Sequence, residues 1–279
     1  MKPGSNLKAN TLLPEIGMLV AIVLTLLPIA WVLWNSFHYV RNIINPGSWA
    51  APTLFNYQEL FTANSRFVQL FGNSLGLVFF TTVLCVGIGL LAAYGLSKFR
   101  WPRAFTAAVL GLVVFIQLVP PVALVPAYYV ILNNFYLYDS ITGLILVNTA
   151  LNLPFAVLLL KVYFDSIPED LREAALVDGC KQFTAFRKVM VPLAAPGIAV
   201  VTILVAILTW NEFLMALSLT STPNAQTITV GIGSYVQEHS VRYGDMTAAA
   251  SIASIPLIIL AVFAHRYIVM GLTGGAIKG

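Results

Sequence analysis

Charge is scarce in this chain: Asp, Glu, Lys and Arg make up 9% of its 279 residues, against about 25% in a typical soluble domain. So few ionic groups cannot clothe an ordinary globular fold in water. Histidine is just as sparse, and the scatter of His38, His239 and His265 offers no metal-ligand spacing. Of the two cysteines, Cys85 falls in an apolar run and Cys180 in a charged segment. They are expected at different depths, which argues against a disulfide. The chain has no Walker A sequence, no HExxH, no nucleophile motif and no pair of catalytic carboxylates. It is therefore expected to have no catalytic residues and no metal of its own. The net charge of +4 includes no helix-length basic stripe, which speaks against nucleic acid as a partner.

What is abundant is apolar: 59% of the residues are hydrophobic, and the mean hydropathy is +0.86. A lipid bilayer is the solvent such a chain needs. Six apolar segments reach the roughly 20 residues a crossing requires. They fall at about 13–37, 72–97, 104–130, 140–163, 192–219 and 247–270. Helices are the expected form, because a helix satisfies its own backbone without water. The first run exceeds the 7–15 residues of a signal-peptide core and lacks a small-residue cleavage site, so it reads as a retained anchor. Twelve Lys and Arg residues lie in the termini and the connections at 98–103 and 161–191, against Arg41, Arg66 and Arg242 on the opposite side. That bias puts both termini in the cytoplasm. The fold class is thus an all-α membrane protein of six transmembrane helices, residues 1–279 forming one membrane domain. The outer connections 38–71 and 220–246 have room for surface elements, and Asn56 with Glu59 reads as a helix start.

One charged stretch interrupts the apolar pattern between the fourth and fifth segments. It reads IPEDLREAALVDGCKQFTAFRKVMVP between Ser166 and Pro192. Ser166-Ile167-Pro168-Glu169 fits a capping box. Glu169 and Asp170 fall where a helix dipole favours negative charge. Leu171, Ala174 and Ala175 are spaced to form a small apolar face. Gly179 suits a left-handed turn. A second helix is expected to carry Phe183, Phe186 and Met190 on one side, with Pro192 opening the next span. The product is a helix–Gly–helix knob on the cytoplasmic face. Geometry alone leaves two uses open: docking a partner, or lying on lipid headgroups.

The order Glu173-Ala174-Ala175, three residues, Gly179, nine residues, then Val189-Met190-Val191-Pro192 resembles the EAA loop of the membrane subunits of bacterial ATP-driven (ABC) importers. Val189 and Val191 stand where the family usually has Ile and Leu. Ala92-Ala93-Tyr94-Gly95-Leu96-Ser97-Lys98-Phe99, Trp210-Asn211-Glu212-Phe213 and the tail from Arg266 to Gly279 also resemble segments of the carbohydrate-uptake branch, nearest its maltose-type second permease. The resemblance implies a coupling helix pair between helices 4 and 5, in an EAA coupling loop at 166–192. Glu173, Ala174, Ala175, Asp178, Gly179, Phe183 and Phe186 would meet a separate ATPase dimer, and Gly274, Gly275 and Lys278 in the tail would touch that partner too. ATP and Mg would then belong to the ATPase. A second homologous permease subunit, an extracytoplasmic solute-binding protein and a sugar-like solute complete the implied assembly. Its implied place is the bacterial inner membrane, in contact with lipid.

Polar residues inside the spans are candidates for the translocation pathway, since a mid-bilayer carboxylate costs about 2.5–3.5 kcal/mol on insertion scales and seeks protein or water. Glu212 is the clearest, beside Trp210 and Asn211. Asn148 and Asn152 are spaced to share a helix face, and Gln117 precedes Pro120-Pro121. Each could equally serve a structural hydrogen bond, and Tyr128, Tyr129 and Trp210 could equally belong to an interfacial belt. Gly89 with Ala93, and Ala249 with Ala253, suit close helix packing. A self-sufficient ion-coupled transporter is the competing function, with Glu212 nearly its only coupling group. An intramembrane enzyme is a weaker third.

Overall fold

The computed structural model describes residues 6–44, 51–62, 66–237 and 240–276. The backbone is helical almost throughout. In chain order the helices are α1 Asn6–Ser36, α2 Val40–Ile44, α3 Phe55–Leu60, α4 Phe67–Lys98, α5 Arg103–Leu118, α6 Pro121–Asn134, α7 Ile141–Ser166, α8 Glu169–Val177 and α9 Gln182–Ala185. A π-helical turn, Phe186–Met190, follows. Then come α10 Val191–Leu193, α11 Ala195–Trp210, α12 Leu214–Leu219, α13 Ile228–Gly233 and α14 Tyr243–Ala276, with the two-residue strands β1 Val236–Gln237 and β2 Ser240–Val241 paired antiparallel before α14.

Four stretches are each long and apolar enough to cross a bilayer: Pro14–Ser36, Phe67–Lys98, Ile141–Ser166 and Tyr243–Phe263. Two bent pairs, Arg103–Leu118 with Pro121–Asn134 and Gln182–Leu193 with Ala195–Trp210, qualify as pairs. Counting each bent pair once gives six spans of an all-α membrane protein.

The third and fifth spans are bent pairs of helices. The third bends by 98° between α5 and α6. A residue before proline is pushed out of the helical region, and the Pro120-Pro121 pair applies that constraint twice. Val119 (φ −72°, ψ 122°) and Pro120 (φ −58°, ψ 128°) are both extended. In the fifth, the apolar run expected at 192–219 is broken in two places. A 76° bend separates Gln182–Leu193 from Ala195–Trp210, and the helix stops again at Trp210 before α12 begins at Leu214.

The chain divides into two compact units, residues 1–65 with 232–253, and residues 66–231 with 254–279. In the first, Asn56 is buried inside α3 and does not cap it. Its Nδ2 donates to the carbonyls of Ser36 and His38, both at 2.9 Å. The helix start is instead served by the Thr53 hydroxyl, which accepts from Phe55 N–H at 3.1 Å. A Cβ on Gly244 would meet Asn56 Oδ1 at 2.5 Å, so α14 begins tightly against that amide.

In the second unit α4, α7 and α11 pack around Cys85, Ala93, Ala156, Leu160, Phe164, Val201 and Val205. Lipid is as apolar as these side chains, so close packing and small residues hold helices together here. A Cβ on Gly197 would lie 2.2 Å from the ring of Tyr163, and one on Gly89 would lie 3.1 Å from Leu160. A second cluster, including Leu77, Leu132, Leu144, Val147 and Met215, joins α4, α6, α7 and α12. No residue of α5 is fully buried; Val109, Leu110 and Val113 are half-buried, and much of the rest of its apolar surface is exposed. Cys85 and Cys180 are both free.

Candidate functional site

The stretch between α7 and α11 folds back on itself as a helical knob. Helix α8 carries Glu169 and Asp170 in its first turn, where the dipole favours them. The expected capping box does not form. Ser166 still belongs to α7, and its hydroxyl donates to the Tyr163 carbonyl at 2.7 Å. Pro168 takes the N-cap position without a side-chain bond, and Glu169 pairs elsewhere. The helix ends in a Schellman motif: Cys180 N–H donates to Ala175 O at 3.0 Å and Gly179 N–H to Leu176 O at 3.1 Å. Gly179 has φ +87°, a backbone that residues with a Cβ avoid.

Of the coupling residues named from sequence, Glu173, Ala174, Asp178, Gly179 and Phe183 are exposed, whereas Ala175 and Phe186 are buried. One expectation needs correction: Leu171, Ala174 and Ala175 do not form one uncovered face, because Ala175 turns inward. Phe183, in the first turn of α9, does lie beside Phe186, their ring centroids 6.0 Å apart, but it is 66% exposed, while Phe186 and Met190 in the following π turn pack into the core. The knob's surface therefore offers Leu171, Val177 (87% exposed) and Phe183 among charged neighbours.

The underside of the knob is aromatic. The ring of Phe186 lies 4.8 Å from that of Tyr94 on α4 and 6.5 Å from that of Phe164 on α7. Tyr94 also meets Phe164 and Phe99 edge-on, each at 5.7 Å. A polar cleft of about 570 Å³ opens alongside, lined by Lys98, Arg100, Asp165, Glu169, Arg172 and Glu173 among others. Burial alone would lower the affinity of Arg172 for its proton, but the hydrogen bond and charge of Glu169 raise it above the ordinary arginine value. The Arg172 guanidinium therefore keeps its charge at any physiological pH.

The pathway residues fall into different environments. Trp210 and Asn148 are buried within this chain, Trp210 with its ring edge-on to Phe71 at 5.6 Å. Asn148 and Asn152 do share a face of α7, and each amide donates to the carbonyl four residues back, at 3.0 and 2.9 Å. Gln117 and Asn211 are exposed. Glu212 stands in the break between α11 and α12. One carboxylate oxygen accepts from Met215 N–H at 2.6 Å and the other from Ala216 N–H at 3.0 Å. The Thr229 hydroxyl donates to the Glu212 carbonyl at 2.8 Å. The Glu212 carboxylate is thus stabilised by the start of a helix. In the tail, Gly274 and Gly275 fall in the last turn of α14, and Lys278 lies outside the described residues. Among the described residues no group of three or more His, Cys, Asp or Glu could hold a metal ion.

An anchored knob between the fourth and fifth spans, with a carboxylate-capped break in the fifth, is a specific combination. Residues 85–273 match the family described as binding-protein-dependent transport system inner membrane component. The chain belongs to this family. It is therefore a multi-pass integral membrane protein and a transport permease. Among its relatives, the sulfoquinovosyl glycerol transport system permease protein SmoH of Agrobacterium fabrum is 36% identical over 93% of this chain and 91% of the relative. The trehalose transport system permease protein SugB of Mycobacterium tuberculosis is 36% identical over 91% of this chain and 93% of the relative. A crystal structure of a bacterial ABC transporter involved in the import of the acidic polysaccharide alginate superposes with a TM-score of 0.79 at 19% identity, covering 96% of this chain and 99% of that one. At that identity the likeness speaks for the fold.

Sequence reasoning about this family member passed over Tyr94, Lys98, Phe164 and Arg172, the residues on which the knob rests. Tyr94 and Lys98 lie in the second-span motif already singled out, so the signal was present but was read only as a resemblance and as a basic flank.

Proposed function

We propose that the chain is the permease subunit forming half of the translocation pathway of an ATP-driven importer for a sugar or sugar-like solute. The observation that carries this reading is the knob. It is stiffened by the Schellman turn, seated on aromatic rings of α4 and α7, and leaves Leu171, Val177 and Phe183 uncovered in a member of this transport family. Exposed apolar side chains on a charged helix pair suit a protein cleft better than solvent, and Glu173 and Asp178 suit a basic partner.

The positive-inside count supports a knob and two termini on the cytoplasmic side of a bacterial inner membrane. A separate ATPase dimer, which binds ATP and Mg, docks there and performs the hydrolysis. A second homologous permease completes the pathway, and an extracytoplasmic binding protein delivers the solute. ATP binding closes the ATPase pair and draws the two knobs together. The helices behind them rotate, and the pathway opens outward. Hydrolysis resets it. The sugar class is supported by what SmoH and SugB are named for. The ion-coupled alternative is not favoured, because its leading candidate coupling carboxylate, Glu212, is engaged with two backbone N–H groups.

The test is reconstitution of this chain with the permease, ATPase and binding protein of its own operon in proteoliposomes. ATP-dependent uptake of a labelled disaccharide, lost in Glu173→Lys with membrane insertion intact, supports the reading. Uptake driven by an ion gradient without the ATPase overturns it.

A further inference from the structure

Lys98 ends α4, yet it does not point to water: its side chain is 5% exposed. Its Nζ donates to the Ile167 carbonyl at 2.8 Å and stands 3.4 Å from Glu169 Oε2. Glu169 also accepts from Arg172, and Arg172 Nη1 donates to Gln182 Oε1 at 3.1 Å. One continuous set of charge-assisted bonds therefore runs from the end of the second span through the α7–α8 corner and along α8 into α9. The covalent link at that corner is Ile167-Pro168, both extended (ψ 125° and 134°). Two extended residues between helices make a hinge unless something bridges them. The ammonium of Lys98 bridges them, taking a carbonyl on one side of Pro168 and a carboxylate on the other.

We infer that Lys98 is a positioning residue for energy coupling: its buried ammonium clamps the first turn of α8 to the end of α4, so that a displaced knob moves the second and fourth spans as one body. The inference rests on the reading of 166–192 as the ATPase-docking knob. Lys98 itself is not part of the docking surface, since its side chain is covered by this chain. Without the clamp, α8 follows the ATPase by swinging about Ile167-Pro168, and motion is lost before it reaches the pathway. Arginine can reach the same two acceptors. Methionine keeps the stem and loses the charge and the donors.

The experiment uses the assembled transporter in proteoliposomes and measures ATP hydrolysed and solute taken up in the same vesicles. Lys98→Met is expected to assemble and hydrolyse ATP while solute moved per ATP falls about five-fold or more, the lower end of ordinary coupling energies. Lys98→Arg is expected to restore the ratio. In a Cys180→Ser background, spin labels at Arg100→Cys and Asp170→Cys report the clamp directly. Their distance distribution should broaden in Lys98→Met and stay narrow in Lys98→Arg. A native ratio together with a native distribution in Lys98→Met overturns the inference. Should that variant fail to assemble, Glu169→Gln reads the same link, with a reduced ratio expected and a native one overturning the inference. If the unsubstituted assembly shows no ATP-driven uptake, the functional reading fails, while the spin-label comparison still decides whether Lys98 holds α8.

Discussion

The ring of Tyr94, on the second long helix, lies 4.8 Å from the ring of Phe186, in the π turn of the knob. A membrane span and a surface element thus share one aromatic contact, with Phe164 of the fourth span closing the group. Tilted and edge-on ring pairs of this kind add about 0.5–1.5 kcal/mol beyond the area they bury.

Phe186→Ala should empty that seat. Buried Phe→Ala changes cost about 3–5 kcal/mol in well-packed cores, and Phe186 is buried. The purified assembly is expected to melt at lower temperature and to transport less per ATP. Phe186→Leu, which refills most of the volume, should recover most of both. Thermal denaturation in detergent alongside vesicle uptake checks this, and a Phe186→Ala protein with native melting and transport would refute the seat.

Gly179 invites a cleaner test, because a Cβ there would meet nothing within 4 Å. Any penalty in Gly179→Ala is backbone strain alone, about 1–2 kcal/mol for an L-residue held in the left-handed region. Asparagine tolerates that region better and should sit between Gly and Ala. Hydrogen exchange at the Cys180 amide, bonded to Ala175 O, is expected to quicken in the order Gly, Asn, Ala. Equal rates in all three would mean the turn does not depend on Gly179.

How far such details could be read in advance depended on whether their cause was local. Six spans follow from apolar length, and the left-handed turn at Gly179 from a glycine in the right place. The bend at Val119-Pro120 also has a local cause, since two prolines stand there. The break at 211–213 has no proline or glycine to mark it. Its local part is the Glu212 carboxylate capping the N–H groups three and four residues on, and its other part is a tertiary bond, Thr229 to the Glu212 carbonyl. Asn56 was misread for the same reason, its amide being used by Ser36 and His38, some 20 and 18 residues away in sequence. Lys98 looked like any basic residue at a helix end until Ile167 and Glu169 were found around it.

Glu212 should show a graded response. Glu212→Ala leaves Met215 N–H and Ala216 N–H without the carboxylate, a loss of about 0.5–2 kcal/mol for an N-terminal cap, and more where water is excluded. Glu212→Gln keeps one acceptor oxygen and presents an NH₂ to the second donor, so it should fall between. The expected signature is reduced thermal stability together with reduced uptake, because the cap shapes the break that carries exposed Asn211. Uptake abolished in Glu212→Gln with stability untouched would instead make the charge itself the working part.

Asp139 supplies a pH test on the opposite end of the second unit's helices. It has φ +54°, which Asp accommodates better than most residues. It holds the segment after α12: Oδ1 accepts from Ser221 N–H at 2.8 Å and Thr222 N–H at 3.0 Å, and Oδ2 from the Thr222 hydroxyl at 2.8 Å. Burial alone would raise its pKa, but the three hydrogen bonds to the charged form outweigh it and hold the pKa below the usual carboxylate value. A group depressed in the folded state lends stability that is complete above its unfolded pKa, about 3.9, and is lost as pH falls through the lower folded value. Attachment of residues 221–222 should therefore be constant from neutral pH down to about 5 and weaken only in stronger acid. Asp139→Asn keeps the backbone and one acceptor but cannot ionise, so its attachment should already be weaker at neutral pH and should no longer respond to acid. Hydrogen exchange at the Ser221 and Thr222 amides across that range measures both effects, and an unchanged acid response in the Asn variant would assign the titration to another group.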